Sequence, residues 1–229
     1  MTEQLRWSDE VPWSVRFEDI YYSQSDGLAE SRYVFLQGNR VAEKWQKKHI
    51  FRISETGFGT GLNFLATWQL WRKTRVHGSW LHFESTEGFP LNRKQLKLIH
   101  QEWTELKELS ELLLAPKNTT SEFLNDWQEW PEERITLRLH YSEVLQTLQV
   151  MPSKKFDTWF LDGFSPKKNP GMWTEDVLRE VARTTCSGGT CATYTAASHV
   201  RKSLEDSGFV MHKVKGFAQK RDMLHGCKL

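Results

Sequence analysis

Apolar and polar positions along the 229 residues change their rhythm once, near His49. Before it, short aromatic and β-branched runs alternate with turn formers: Ile20-Tyr21-Tyr22, Ser25-Asp26-Gly27, Tyr33-Val34-Phe35-Leu36 and Gly38-Asn39. Such runs predict a small N-terminal β-hairpin or sheet. After it, strands alternate with helices. Ile50–Ile53, Trp80–Phe83, Ile135–Leu139, the wholly apolar end of Phe156–Leu161, and Gly189–Tyr194 read as strands. Between them, Leu62–Arg72, Asn92–Leu114, the stretch through Val144 and Leu148, Trp173–Thr185 and His199–Ser207 read as helices. In the long second helix Leu96, Ile99, Trp103, Leu106 and Leu113 recur on one face at helical spacing, which places Trp103 in the core. The pattern predicts an α/β fold with a parallel sheet. Phe209–Val214 and Arg221–His225 are close enough to pair as a C-terminal antiparallel hairpin.

Composition narrows the class. At 38% hydrophobic and 26% charged residues, with eleven tryptophans, the chain can bury a real core as a single domain, 1–229, with residues 1–48 as a β extension on a core of 49–229. No run approaches the roughly 20 apolar residues of a membrane helix. The N-terminal residues lack the basic start and apolar run of a signal peptide. Cys186, Cys191 and Cys227 are too scattered for a disulfide framework or a metal site, and the histidines, His77, His82, His100 and His199 among them, have no metal-ligand spacing. A cytoplasmic protein without a structural metal is expected. Net charge is +2, but from Arg183 onward eight Lys/Arg face three acids. That basic segment suits a polyanion such as RNA, or is simply a solvated surface.

Three stretches carry chemistry. Glu55-Thr56-Gly57-Phe58-Gly59-Thr60-Gly61-Leu62-Asn63 lies where a strand gives way to a helix, and glycines there let the backbone turn sharply against a ligand. An acid two residues before the first glycine would repel a dinucleotide pyrophosphate and attract the ammonium of S-adenosylmethionine (SAM). Glu87 stands past the second strand, where a carboxylate can accept the ribose hydroxyls of a nucleoside cofactor; Glu84 competes on spacing, and either could be a solvated acid. The strand ending in Phe160-Leu161 delivers Asp162-Gly163-Phe164-Ser165-Pro166 to the carboxyl edge of the sheet. Asp162 is placed there to hold a substrate amine, either orienting it or also taking its proton, since an ammonium cannot attack; capping of the following loop is the alternative. Phe164 would pack on a nucleobase or on the reacting sulfur. Lys167 and Lys168 flank this loop, within reach of phosphates. No Gly-x-Ser-x-Gly elbow surrounds Ser165 or Ser198.

Together these motifs resemble the methyltransferase domain of the MnmC family, bifunctional bacterial enzymes that complete 5-methylaminomethyl-2-thiouridine at the tRNA wobble position. The resemblance extends to Arg32–Leu36, Phe89-Pro90-Leu91, Asn169-Pro170 with Met172-Trp173, Thr195–Ser198, Val200-Arg201, Gly208-Phe209, Lys215–Phe217 and Lys220–Leu224. It implies a Rossmann-like class I methyltransferase fold, SAM as cofactor, and methylation of the 5-aminomethyl group of a wobble uridine in the tRNA anticodon loop. It implies Glu55, Gly57, Gly59, Gly61, Asn63 and Glu87 as cofactor residues and Asp162 as the catalytic acid of the loop. Phe164, Pro166 and Lys168 are expected on the substrate side. Lys168 and Gly171 depart from the family pattern, and His140-Tyr141 stand where a Gly-Asp pair is expected near the adenine, leaving backbone amides or Ser142 for that contact. The family's FAD-dependent oxidoreductase part would begin where this sequence stops, so either the chain is an excised domain or it takes its aminomethyl substrate from another enzyme. A methyltransferase of small-molecule or protein amines, a non-catalytic RNA-binding module and a NAD-dependent oxidoreductase are the competing readings; the GxGxG spacing and Glu55 speak against the last.

Overall fold

In the computed structural model residues 3–8, 11–115 and 121–229 are described. Three short strands, β1 (Leu5–Ser8), β2 (Val11–Ser14) and β3 (Asp19–Ile20), form an antiparallel sheet of their own. Next come α1 (Gly27–Ser31), which runs into a π-helical turn over Arg32–Gln37, and α2 (Val41–Trp45). The alternating part follows: β4 (Ile50–Glu55), α3 (Leu62–Thr74), β5 (Trp80–Thr86), α4 (Arg93–His100), α5 (Lys107–Leu114), β6 (Trp127–Trp130) and β7 (Ile135–His140). It continues with α6 (Val144–Val150), β8 (Phe156–Phe160), α7 (Glu175–Thr184), β9 (Thr185–Thr193), α8 (Ser198–Asp206), β10 (Phe209–Lys215) and β11 (Asp222–Lys228).

The large sheet has the order β10-β11-β9-β8-β4-β5-β7-β6. β4 pairs in parallel with both β5 and β8, β5 with β7, and β8 with β9. The predicted C-terminal hairpin forms, Phe209 to Lys215 against Lys228 to Asp222, and β11 joins it antiparallel to β9. Strand order reverses between β4 and β8, so the carboxyl ends of these two strands flank the crevice where open α/β sheets hold their ligands. Trp159 and Phe160, adjacent on β8, are both fully buried but in different clusters on opposite faces of the sheet. That is how a doubly covered strand must pack. One cluster gathers Trp45, Phe64, Trp68 and Trp71 under α2–α5, and the other gathers Val177, Val181, Val200 and Leu204 under α6–α8.

Three expectations change. The N-terminal sheet exists, but Tyr33–Leu36 is not part of it: Asp26 caps α1 by accepting from the Ala29 amide at 2.8 Å, so the Ser-Asp-Gly signal starts a helix instead of closing a hairpin. Val34, Phe35 and Leu36 are buried in succession in the π turn, and Asn39 Nδ2 ties that turn to β8 through the carbonyls of Phe35 (3.0 Å) and Trp159 (3.3 Å). The helix expected over 92–114 is broken by a 3₁₀ turn at Thr104–Leu106, although Trp103 is buried as its spacing predicts. An eighth strand, β6, adds antiparallel to β7 at the far edge.

Candidate active site

A cavity of about 360 Å³ opens at the carboxyl ends of β4, β5 and β8, within the size range of small-molecule sites. Its floor is the turn from β4 into α3. Gly59 has φ +51° and Gly61 φ +76°, left-handed conformations that a side chain would strain. A Cβ on Gly57 would lie 3.4 Å from the Asp162 carbonyl oxygen and the Gly163 Cα, so glycine lets the two loops approach. The turn is held from three sides. Thr56 Oγ1 donates to the Asp162 carbonyl at 2.6 Å and accepts from the Asp162 amide at 3.0 Å. Glu87 accepts from the Gly59 and Phe89 amides, both at 2.8 Å. His100 Nε2 donates to the Thr60 carbonyl at 2.8 Å while its Nδ1 accepts from Ser110 at 2.7 Å. Burial pushes the His100 pKa down to about 4, which keeps the ring neutral in that bond.

Glu87 lines the cavity with its carboxylate. Burial raises its pKa, against the pull of the two amides, and the carboxylate oxygens keep lone pairs free for hydroxyl donors. Glu84, the competing acid, faces away: Lys155 Nζ lies 2.6 Å and His140 Nε2 3.1 Å from its oxygens. Ser142, Glu143 and Val144, just after β7, also line the cavity, so the departure at His140-Tyr141 still leaves polar groups there.

Glu55 lies at the end of β4, beside the glycine turn. It is fully buried and does not line the cavity. Asn63 Nδ2 donates to its Oε1 at 2.8 Å and Ser85 Oγ reaches its Oε2 at 2.7 Å. Burial first, then the nearby Asp162, push its pKa up to about 8. Glu55 therefore supports the glycine turn from below and has no open face toward a ligand.

Asp162 does face the cavity. Its Oδ1 accepts from the Gly163 amide at 2.8 Å and its Oδ2 from Asn63 Nδ2 at 2.6 Å. Burial raises its pKa to about 6, with those donors and the Lys220 ammonium pulling the other way. Each of the next three residues is tied down by a separate element: Tyr194 Oη donates to the Gly163 carbonyl (2.8 Å), Trp173 Nε1 to the Phe164 carbonyl (2.9 Å), and the Ser165 amide to Asp19 Oδ2 (3.1 Å). Phe164 stacks on Phe17 at 4.6 Å and meets Tyr21 edge-on at 5.1 Å. It lines the cavity, whereas Pro166 and Lys168 do not; the latter is exposed and lies 3.6 Å from Glu18.

One part of the cavity wall was not legible in the sequence. Phe17, Asp19, Tyr21, Glu30, Ser31, Tyr194 and Lys220 close it. Lys220 Nζ is 2.6 Å from Glu30 Oε1 and 4.7 Å from the centre of the Tyr194 ring. Three carboxylates, Asp19, Glu30 and Asp162, thus meet aromatic rings at one end of the cavity, a setting that attracts a cation. Lys220 belongs to the Lys-Arg-Asp-Met-Leu stretch of the resemblance; nothing in the periodicity marked the others. The C-terminal basic segment is less cationic than its count suggests, because Arg183, Arg201, Lys202, Lys213 and Lys220 each pair with a carboxylate.

The donor set fits SAM: a glycine turn at the cavity floor, a carboxylate in the cavity lining and polar groups after β7. Among known proteins, a family described as S-adenosyl-L-methionine-dependent methyltransferase matches residues 104–229. Two curated relatives carry the name tRNA 5-methylaminomethyl-2-thiouridine biosynthesis bifunctional protein MnmC. The one from Methylobacillus flagellatus is 42% identical over 97% of this chain and 34% of its own length. The one from Haemophilus ducreyi is 44% identical over 96% of this chain and 34% of its own. The chain thus spans about a third of the length of these relatives. In fold it is similar to the crystal structure of MNMC2 from Aquifex aeolicus, with TM-score 0.73 at 24% identity over 98% of this chain and 70% of that one. It is also similar to spermidine synthase from Thermotoga maritima, with TM-score 0.55 at 7% identity over 95% and 64%.

Proposed function

The chain belongs to the S-adenosyl-L-methionine-dependent methyltransferase family, and we propose that it methylates the 5-aminomethyl group of 2-thiouridine at the tRNA wobble position. The observation that carries the choice of an amine is Asp162: a carboxylate at the cavity wall, raised to about 6, with Asp19, Glu30 and aromatic rings around it. The names and identities of the bifunctional relatives support the choice of tRNA. When bound, SAM supplies the electrophilic methyl and a neutral thioether leaving group.

In this reading Gly57 and Gly59 would admit the cofactor's methionine end against bare backbone, while Gly61, outside the cavity lining, lets the turn pack on Phe58; Glu87 would accept from the ribose hydroxyls, and Ser142 or the amides beside it would meet the adenine. Asp162 accepts a hydrogen bond from the acceptor nitrogen and turns its lone pair toward the methyl. Asp162 would then take the proton that the nitrogen loses on methylation. A base near 6 suits that task at neutral pH, being ionised when the amine arrives and able to hold a proton briefly. Most of the acceleration comes from alignment within the tied loop.

Residues 1–229 act as one unit in this reading, in the cytoplasm, and the free aminomethyl group has to be made first, by an FAD-dependent oxidoreductase domain or protein. Lys168 and Pro166, outside the cavity, serve at most the rim where the anticodon loop would arrive. The test is transfer from methyl-labelled SAM to tRNA carrying unmethylated 5-aminomethyl-2-thiouridine, followed by nucleoside analysis. Labelled 5-methylaminomethyl-2-thiouridine is expected, with a loss of roughly 10²-fold or more in Asp162→Asn while SAM still binds. Unlabelled RNA with intact SAM binding would move the acceptor to a small-molecule or protein amine.

A further inference from the structure

Two buried carboxylates of the site share a single partner. Asn63, at the start of α3, donates through Nδ2 to Glu55 Oε1 at 2.8 Å and to Asp162 Oδ2 at 2.6 Å. An amide nitrogen carries two hydrogens, so both are used. Its Oδ1 accepts from Ser31 Oγ at 2.5 Å. Turning the amide over would set its oxygen against two carboxylates, so the orientation is fixed from both sides. Ser31 is on α1, Glu55 at the end of β4 and Asp162 just beyond β8; Asn63 joins all three elements. Beyond Glu55 the chain of bonds ends on Ser85 of β5 at 2.7 Å.

With both amide hydrogens committed, Asn63 has no donor left to offer a cofactor. Asn63 lines the cavity but is only 7% exposed, and its two amide hydrogens go to Glu55 and Asp162. It can do something else, which Asp162 needs. A carboxylate that must present one lone pair to an incoming amine has to be held in one rotamer. Gly163 secures Oδ1 and Asn63 secures Oδ2. We propose that Asn63 is a positioning residue, locked by Ser31 and backed by Glu55, that fixes the carboxylate of Asp162 toward the acceptor rather than binding the cofactor. The proposal rests on the reading that Asp162 faces the acceptor amine.

Asn63→Ala and Ser31→Ala test it, with SAM affinity by calorimetry and single-turnover methyl transfer to 5-aminomethyl tRNA measured from pH 5 to 9. In Asn63→Ala the SAM Kd should stay within about threefold of the parent, while transfer falls roughly 30-fold or more, the worth of a hydrogen bond to a charged group. The acid limb of the rate profile should move up by about one pH unit, because the lost donor favoured the ionised form of Asp162. Ser31→Ala, which frees the amide to rotate, should slow transfer by about three- to tenfold with unchanged SAM affinity. A Kd that weakens in step with the rate, with the acid limb unmoved, makes Asn63 a cofactor ligand and overturns the proposal. If Asn63→Ala does not fold, Ser31→Ala decides alone, and a parental rate and profile in it overturns the proposal. If the parent itself transfers no methyl to the amine, the reading of the acceptor has failed, and the Kd comparison still decides what Asn63 does.

Discussion

Glu55→Gln changes one atom in the core and isolates the electrostatics of the glycine turn. In the parent the carboxyl group is shut off from solvent and its pKa stands near 8 against an ordinary 4.5. The folded state therefore holds a proton that the unfolded chain releases above about pH 4.5. The sign follows from linkage: where the native state binds more protons, stability falls as pH rises. At 1.36 kcal/mol per pH unit, the parent gives up about 3 kcal/mol between pH 4.5 and 7, and about 5 kcal/mol once pH passes 8. These are upper bounds, since the site relaxes around an ionised group. Glutamine keeps the shape of the protonated acid, with an oxygen for Asn63 Nδ2 and an amide to donate to Ser85 Oγ, and it has no proton to lose.

The variant should accordingly match the parent at pH 5 and exceed it at higher pH. With about 2–4 °C per kcal/mol for a chain of this size, the gain in Tm is roughly 6–12 °C at pH 7 and larger at pH 8.5. Thermal melts of both proteins in matched buffers from pH 5 to 9 measure it. The same pair of proteins discriminates a second point. If Glu55 held the ammonium of SAM directly, as its motif suggests, the substitution would weaken binding by roughly 10–100-fold, the value of a charged hydrogen bond. With Glu55 beneath the turn, SAM affinity should change by no more than about threefold. A variant that melts below the parent at pH 7 to 8, or by an offset that does not vary with pH, refutes the picture of a neutral buried acid.

Two other outcomes follow from the same geometry. Glu87→Gln keeps the volume but removes the charge and one of the two acceptor oxygens for the Gly59 and Phe89 amides; SAM should bind about tenfold more weakly while the rate at saturating SAM changes little, as titration and steady-state kinetics would report. Lys220→Met removes a cation that holds the pKa of Asp162 down, so the acid limb of methyl transfer should move to higher pH. An acid limb that stays put or moves lower would mean that Lys220 does not act on Asp162.

What could be read from the sequence was whatever repeats or concentrates. The strand-helix alternation from β4 to β9 has long apolar runs, and the glycine turn and the Asp162 loop each pack several unusual residues into a few positions. β6 escaped because its pattern is inverted: Trp127 is exposed while Gln128 is buried beside Trp130, so no apolar alternation marks it. The π turn escaped because three successive buried residues, Val34 to Leu36, fit a strand as well as a helix. The 3₁₀ break at Thr104–Leu106 was invisible because Trp103 and Leu106 keep facing the core across it. For Glu55 the motif located the residue and not its depth. Whether a carboxylate at the end of a strand looks into the crevice or under the turn depends on partners 30 and 8 residues away, Ser85 and Asn63, which no local pattern links to it.

Those long-range partners also explain why two acids at neighbouring strand ends can take different parts. Glu55 and Asp162 lie on adjacent parallel strands or just beyond them, and the charge of Asp162 disfavours ionisation of Glu55. Two buried carboxylates so close do not both ionise readily. The protein resolves the conflict by environment: Glu55 is sealed off and keeps its proton to about pH 8, while Asp162 has the Gly163 amide, the Asn63 donor and the Lys220 ammonium to favour its charge. The single negative charge is thus directed to the residue on the cavity. Separating two titratable groups in this way is how a site assigns a base and leaves its neighbour neutral. The segment that closes the cavity over that charge is the N-terminal one: Phe17 against Phe164, Asp19 on the Ser165 amide and Ser31 on Asn63. A boundary between residues 48 and 49 would therefore cut through one chemical unit.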